Sequence, residues 1–214
     1  MILTRAAYHA ALDAGTLKLA FVGMSNIGKS YASQAIGTAY DLPVIDNDAL
    51  IGGALGLSDM QALADWMHYP DHADHGSRAK TYIKHEDDIL AQTLARDTGG
   101  IYDLTGSVIY CHKAALAELK HQALVVHIAA QDGDLTRLEQ LFFDNPKPLI
   151  WHDQFTQQQD QDANSAMRES YPRLLKSRQS AYKNLSDVSI ESSKFRNLSG
   201  KAMANLIGQS LPTD

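Results

Sequence analysis

Residues 23–30 read GMSNIGKS, set between the apolar run LKLAFV (17–22) and the alanine-rich YASQAIGTAY (31–40). Gly23, Gly28, Lys29 and Ser30 meet the pattern of a glycine, four free positions, a second glycine, a lysine and a serine. Such a turn joins a strand to a helix. Its glycines let backbone N–H groups face inward around phosphates, and the helix N-terminus adds partial positive charge. The same dipole disfavours a lysine at a helix start, so an ordinary strand–turn–helix gives no reason for Lys29. The stretch Gly23, Met24, Ser25, Asn26, Ile27, Gly28, Lys29, Ser30 and Tyr31 is therefore expected to bind a nucleotide. In that role Lys29 bridges the β- and γ-phosphates, and the Ser30 hydroxyl holds Mg²⁺.

The rest of the chain alternates short apolar runs with helix-like segments, which predicts an α/β domain with a mainly parallel five-stranded sheet and helices on both faces. The expected strands are LKLAFV (17–22), LPVID (42–46), GGIYDL (99–104), ALVVHIAA (123–130) and DVSI (187–190). Helices are expected within the first sixteen residues and at about 29–40, 79–97, 111–121, 133–143, 166–184 and 199–210. Two stretches fit neither class: WMHYPDHADHGSR (66–78), and DNPKPLIWHDQFTQQQDQDANS (144–165). Structureless runs of that length are usually functional loops or lids, with a tolerated surface insertion as the alternative. The whole, 1–214, reads as one domain.

The 214 residues are 44% hydrophobic and 21% charged, and the formal net charge is −6 without any block of lysine and arginine. That argues against a nucleic-acid-binding surface. No apolar run is long enough to cross a membrane. The start, MILTRAAYHA, lacks the features of a secretory signal. A single cysteine, Cys111, reads as a small buried apolar residue compatible with a reducing cytoplasm.

The second expected strand runs into VIDNDAL, which places Asp46 and Asp48 two residues apart. If the segment stays extended, both carboxylates point to one side and can face the phosphate loop. One then serves Mg²⁺ through water while the other orients or deprotonates an acceptor hydroxyl. Alternatively, Asp48 caps a helix starting at Ala49. Asp103, closing the apolar strand IYD, can hold a metal-bound water, contact the acceptor or cap the turn before Thr105.

Taken together, GMSNIGKS, IDNDALI about sixteen residues later, PKPLI (146–150) and LLKSRQSAYKNLSDVSI (174–190) resemble the shikimate kinases, in the nucleoside-monophosphate-kinase-like group. The resemblance covers most of residues 17–210 and implies a three-layer P-loop NTPase fold with acceptor-binding (about 57–98) and lid (about 144–165) insertions. It implies a monomeric, cytoplasmic ATP-dependent kinase acting on a small molecule. Lys29 and Ser30 would hold ATP and Mg²⁺, Asp46 would lie near the metal, and Asp48 at the acceptor hydroxyl. Arg178 would grip an acceptor carboxylate, and Gly106 would line the acceptor site; without the resemblance Arg178 reads as a surface arginine.

The sequence also departs from that pattern. Where the family has a phenylalanine-arginine pair followed by glutamate, this chain has Tyr82, Ile83 and Glu86. Its triple glycine becomes LTGS (104–107), keeping Gly106. Its lid arginine falls near Gln140, with Arg137 one turn earlier, and Lys147 stands where PKPLI would carry an arginine. The phosphate end is intact and the acceptor end remodelled, so a substrate other than shikimate is expected. A nucleotide-binding regulatory module or an NTPase without a small-molecule acceptor is the alternative. No N-K-x-D base-reading motif is present, and adenine is preferred through the resemblance alone. The histidine-rich loop (His68, His72, His75, with Asp71, Asp74 and His85) is expected to cap the acceptor pocket rather than hold a metal. Trp66 and Tyr69 are expected to line that pocket.

Overall fold

The computed structural model describes residues 3–144 and 149–213. At its centre lie β1 (Lys18–Val22), β2 (Val44–Asp46), β3 (Gly100–Asp103), β4 (Leu124–Ala129) and β5 (Val188–Glu191). They form one sheet in the order β2-β3-β1-β4-β5, and every neighbouring pair is parallel. Leu19 to Val22, all of β3 and Leu124 to Ile128 are buried without alternation. Both faces of the sheet are therefore covered, which is why these strands read as continuous apolar runs.

The helices are α1 (Arg5–Asp13), α2 (Lys29–Tyr40), α3 (Asn47–Ala54), α4 (Met60–Met67), α5 (His75–Leu94), α6 (Lys113–Gln122), α7 (Asp132–Asp144), α8 (Ala163–Leu185), α9 (Ser192–Phe195) and α10 (Gly200–Gln209). Three of them depart from expectation. Residues 66–78 are not one loop, because Trp66 and Met67 finish α4 and α5 begins at His75. Gly76 falls in the first turn of α5, where helix propensity matters least. Neither α4 nor α9 was anticipated. Residues 149–162 do lack helix and strand, while Lys147 and most of PKPLI lie outside the described residues.

Ile51, Leu63, Met67, Tyr82, Ile89 and Ile150 form a second, smaller apolar cluster beside the main core. It ties α3, α4 and α5 together and gives the expected acceptor segment its own footing. Trp151, in the expected lid segment, is buried against Phe142, Phe155 and Tyr171.

The close contact of α10 with α2 depends on a missing side chain. A methyl group added at Gly200 would lie 1.9 Å from the Ala35 carbonyl oxygen, which is helix backbone and cannot step aside. Gly200→Ala should therefore cost about 3 kcal/mol or more by overpacking, read as a lowered midpoint in thermal unfolding. Gly53→Ala in α3, where nothing lies within 4 Å, is the control and should be neutral or slightly stabilising. Equal midpoints for the two variants would count against this packing.

Strand register sets up the site. Phe21 pairs with Asp103, and Asp103 with Asp46, so the ends of three adjacent strands lie level. In open parallel sheets the crevice beyond such ends is where ligands bind.

Candidate phosphate and acceptor site

The chain leaves β1 through a loop of three left-handed residues, Gly23 (φ 149°), Asn26 (φ 63°) and Gly28 (φ 112°). At Gly23 a side chain is excluded twice over, by that φ and by the Ile128 carbonyl oxygen, 2.8 Å from where a Cβ would sit. Gly28 is the N-cap of α2 and offers no side-chain bond to the first turn. An N-terminus without a side-chain cap is the arrangement in which helix N–H groups and dipole favour an anion. The Lys29 side chain is buried and folds back, its Nζ donating to the carbonyls of Gly23 and Met24 at 3.1 Å each.

The structure gives the helix-capping role to Asp46, not Asp48. Strand β2 stops at Asp46, and the chain turns helical at once rather than staying extended to Asp48. Asp46 is the capping residue: its Oδ1 accepts from the Ala49 N–H at 3.0 Å, and it is exposed. Asp48 sits in the first turn of α3, half-buried, and its Oδ1 accepts from the Tyr82 hydroxyl at 3.0 Å. Burial pushes the Asp48 carboxyl up, with Lys29 and the Tyr82 hydrogen bond holding it partly down. Asp103 is buried and is also pushed up by desolvation, against a hydrogen bond from Ser30 and the charge of Lys29.

A cavity of about 440 Å³ opens over these groups. Its phosphate end is walled by Gly28, Lys29, Ser30, Tyr31 and Asp103, with Ser25 and Asn26 from the loop. Asp48, Thr105, Gly106, Ser107 and Arg178 line it further along, with Met60, Met67, Tyr82 and Ile150 supplying apolar wall. Arg137 and Leu141 reach it from α7. Gly23, Met24, Ile27 and Asp46 do not line it, the first three standing behind the loop. Arg137 leans over the phosphate loop, 3.4 Å from the Asn26 carbonyl, and pairs with buried Asp134 at 3.3 Å. Gln140 is exposed.

Arg178 is no surface arginine. It is 3% exposed, gives Nη1 to the Gly106 carbonyl (3.0 Å) and Nη2 to the Ile150 carbonyl (2.8 Å), and lies over the Tyr110 ring at 5.3 Å. Its Nε is buried without a partner.

Glu86, the match in sequence to the family's glutamate, has no role assigned on that basis, and the structure places it behind the cavity wall. It is fully buried and accepts from the hydroxyls of Thr105 and, at 2.7 Å, Ser107. Burial pushes its carboxyl up to about 7, the two hydroxyls opposing. The available signal was its spacing from Tyr82, four residues along one helix face. Unfolded, Glu86 ionises near 4.5; folded, it keeps its proton to about 7. The stability it contributes is thus full below about pH 4.5 and is lost as pH rises through 7. Glu86→Gln keeps the neutral shape, so its unfolding free energy in urea should fall less between pH 5 and pH 8 than the wild type's, by about 2–3 kcal/mol. Parallel pH profiles would contradict this.

In the histidine-rich loop, His68, His72 and Asp74 bring ligand-type atoms within 4.8 Å of one another. His75 is buried, its Nδ1 facing the Met67 and His68 carbonyls. Asp71, His68, His72 and Tyr69 border a second cavity, closed on its far side by Phe142, Leu149 and Trp151. Tyr69 thus lines this one and not the cavity over the phosphate loop. Cys111 is buried, and burial pushes its thiol up.

A phosphate loop on the central strand of a parallel 2-3-1-4-5 sheet defines the P-loop NTPase fold. Among solved structures the chain is similar in fold to shikimate kinases. That from Acinetobacter baumannii, in complex with shikimate, superposes with a TM-score of 0.65 at 16% identity, over 94% of this chain and 95% of the other. The Bacteroides thetaiotaomicron enzyme gives 0.61 at 12% identity, over 90% and 97%. The Aquifex aeolicus enzyme gives 0.57 at 15%, over 91% and 95%. No family model matches the chain, and no curated protein matches it significantly. No helix among the described residues is long and apolar enough to cross a membrane.

Proposed function

We propose that the protein is an ATP-dependent kinase that phosphorylates a hydroxyl of a small molecule. The observation that carries this reading is the convergence of Lys29, Ser30, Asp103 and Asp48 on one cavity at the carboxyl ends of β1, β2 and β3. In the proposed reaction the acceptor oxygen bonds to the γ-phosphorus as the bond to the bridging oxygen breaks. ADP departs, and the hydroxyl proton passes to Asp48. Lys29 leaves the Gly23 and Met24 carbonyls for the phosphates, neutralising charge that spreads in the transition state. Arg137, already bent over the loop, is the second cation in reach of the transferring group.

The donor set suits Mg²⁺, a hard cation that prefers oxygen ligands. Ser30 and Asp103 are hydrogen-bonded neighbours at the phosphate end, and desolvated Asp103 has a carboxylate to offer. When bound with ATP there, the ion would offset phosphate charge.

The test is ADP release by the purified protein with MgATP or MgGTP, against shikimate, other hydroxy acids, simple alcohols and nucleosides. Lys29→Ala protein supplies the blank for contaminating kinases. Lys29-dependent stimulation by an acceptor supports the proposal. ADP release independent of every acceptor would favour an NTPase, and nucleotide binding without release a regulatory module.

A further inference from the structure

The charges around the acceptor end of the cavity are unbalanced in a way that selects among alcohols. Among the described residues two other cations line the cavity, Lys29 and Arg137, and both belong to the phosphate end: one lies on the Gly23 and Met24 carbonyls, the other between Asn26 and Asp134. That leaves Arg178. Two of its five N–H bonds already go to the carbonyls of Gly106 and Ile150, whose oxygen dipoles offset part of its positive field. Its flat face is taken up by Tyr110.

Opposing it are two carboxyl groups. Asp48 lines the cavity, and Glu86 lies buried directly behind the Thr105 and Ser107 hydroxyls. Glu86 is pushed up to about 7 even with both hydroxyls donating to it. Its own burial is the main cause, with the charge of Asp48 adding to it and that of Arg178 opposing. The rest of the wall is apolar: Met60, Met67, Ile150 and the Tyr82 ring.

An acceptor bearing a carboxylate would have to leave water here beside Asp48 and Glu86, with one arginine, already engaged by two carbonyls, to receive it. An ion buried without a full set of partners is strongly disfavoured. A neutral alcohol meets no such obstacle: its hydroxyl goes to Asp48, a second oxygen can take a remaining Arg178 N–H, and its carbon skeleton covers the methionines. Resting on the kinase reading above, we propose that the acceptor is an uncharged alcohol with an apolar flank, and that hydroxy acids are excluded by their charge.

The proposal is tested with matched pairs that differ only in that charge: shikimate and quinate, each against its methyl ester and primary amide, with cyclohexanediols and nucleosides as further uncharged members. Lys29-dependent ADP release is measured for each. Every ester and amide should exceed its parent acid at least tenfold in kcat/KM. Met60→Arg, which adds a cation to the acceptor wall at a half-buried position, should close that gap at least tenfold by helping the acids. Acids that match or exceed their esters in the wild type would overturn the proposal while leaving a kinase. Lack of Lys29-dependent stimulation by every uncharged member would overturn it too. MgATP binding by calorimetry then decides whether the kinase reading falls with it: binding keeps the nucleotide site, and no binding removes both.

Discussion

Lys29→Ala should lower acceptor-dependent ADP release by about a thousandfold or more, since a charge aimed at the transferring phosphoryl group acts mainly in the transition state. It should do so with little change in stability. The Lys29 ammonium spends its hydrogen bonds on the Gly23 and Met24 carbonyls, in a loop bordering the cavity. Those bonds are buried, but Lys29 itself lines the cavity, so water can enter the space its side chain vacates and reach both carbonyls. The loop's shape rests on Gly23, Asn26 and Gly28, which the substitution leaves alone. Asp48 and Asp103 each lose a favourable charge, so both carboxyls should titrate higher in the variant. The comparison needs thermal unfolding beside turnover. A variant that unfolds many degrees lower would make Lys29 a structural residue, and one that keeps its rate would remove it from the chemistry.

How far the site could be read from sequence depended on whether its contacts are local. The phosphate loop is local: glycines, lysine and serine act within eight residues, and the strand before them is a plain apolar run. Strands β1, β3 and β4 were legible for a related reason, since burial on both faces leaves no polar alternation to confuse, while β5 alternates buried and exposed residues. Which of Asp46 and Asp48 caps the helix was not legible, because IDNDALI carries two aspartates that can each do so, and two residues' spacing also suits an extended strand. The chain resolved this by starting α3 one residue after Asp46. Helix α4 was signalled by Asp59 ahead of Met60, Leu63 and Met67, a cap and an apolar stripe obscured by the proline and histidines that follow. The spacing from Tyr82 is the one local mark of Glu86, obscured by the acidic run HEDD in which the residue sits. Its partners are 19 and 21 residues away, and they make it a core residue. Arg178 is similar, buried by carbonyls 72 and 28 residues distant.

Asp48→Asn should cut kcat by roughly a hundredfold to ten-thousandfold, the range expected when a positioned general base is lost. KM for the acceptor should change little, because a carboxamide oxygen can still accept from Tyr82 and from a hydroxyl. The more discriminating variant is Tyr82→Phe. The Tyr82 hydroxyl donates to the same carboxyl oxygen at 3.0 Å and holds its titration down, against the desolvation that raises it. Asp48 works as a base only when ionised. Removing the hydrogen bond therefore moves its pKa up, and the acid limb of the kcat/KM profile should shift to higher pH. On the alkaline plateau, where Asp48 is ionised either way, the rate should stay within a few fold of wild type. The asparagine variant should instead be slow at every pH and show no such limb. A tyrosine that merely filled space would lower the plateau or the stability without moving the limb. A limb that stays in place in Tyr82→Phe would therefore separate Asp48 from the proton transfer, even if Asp48→Asn were inactive.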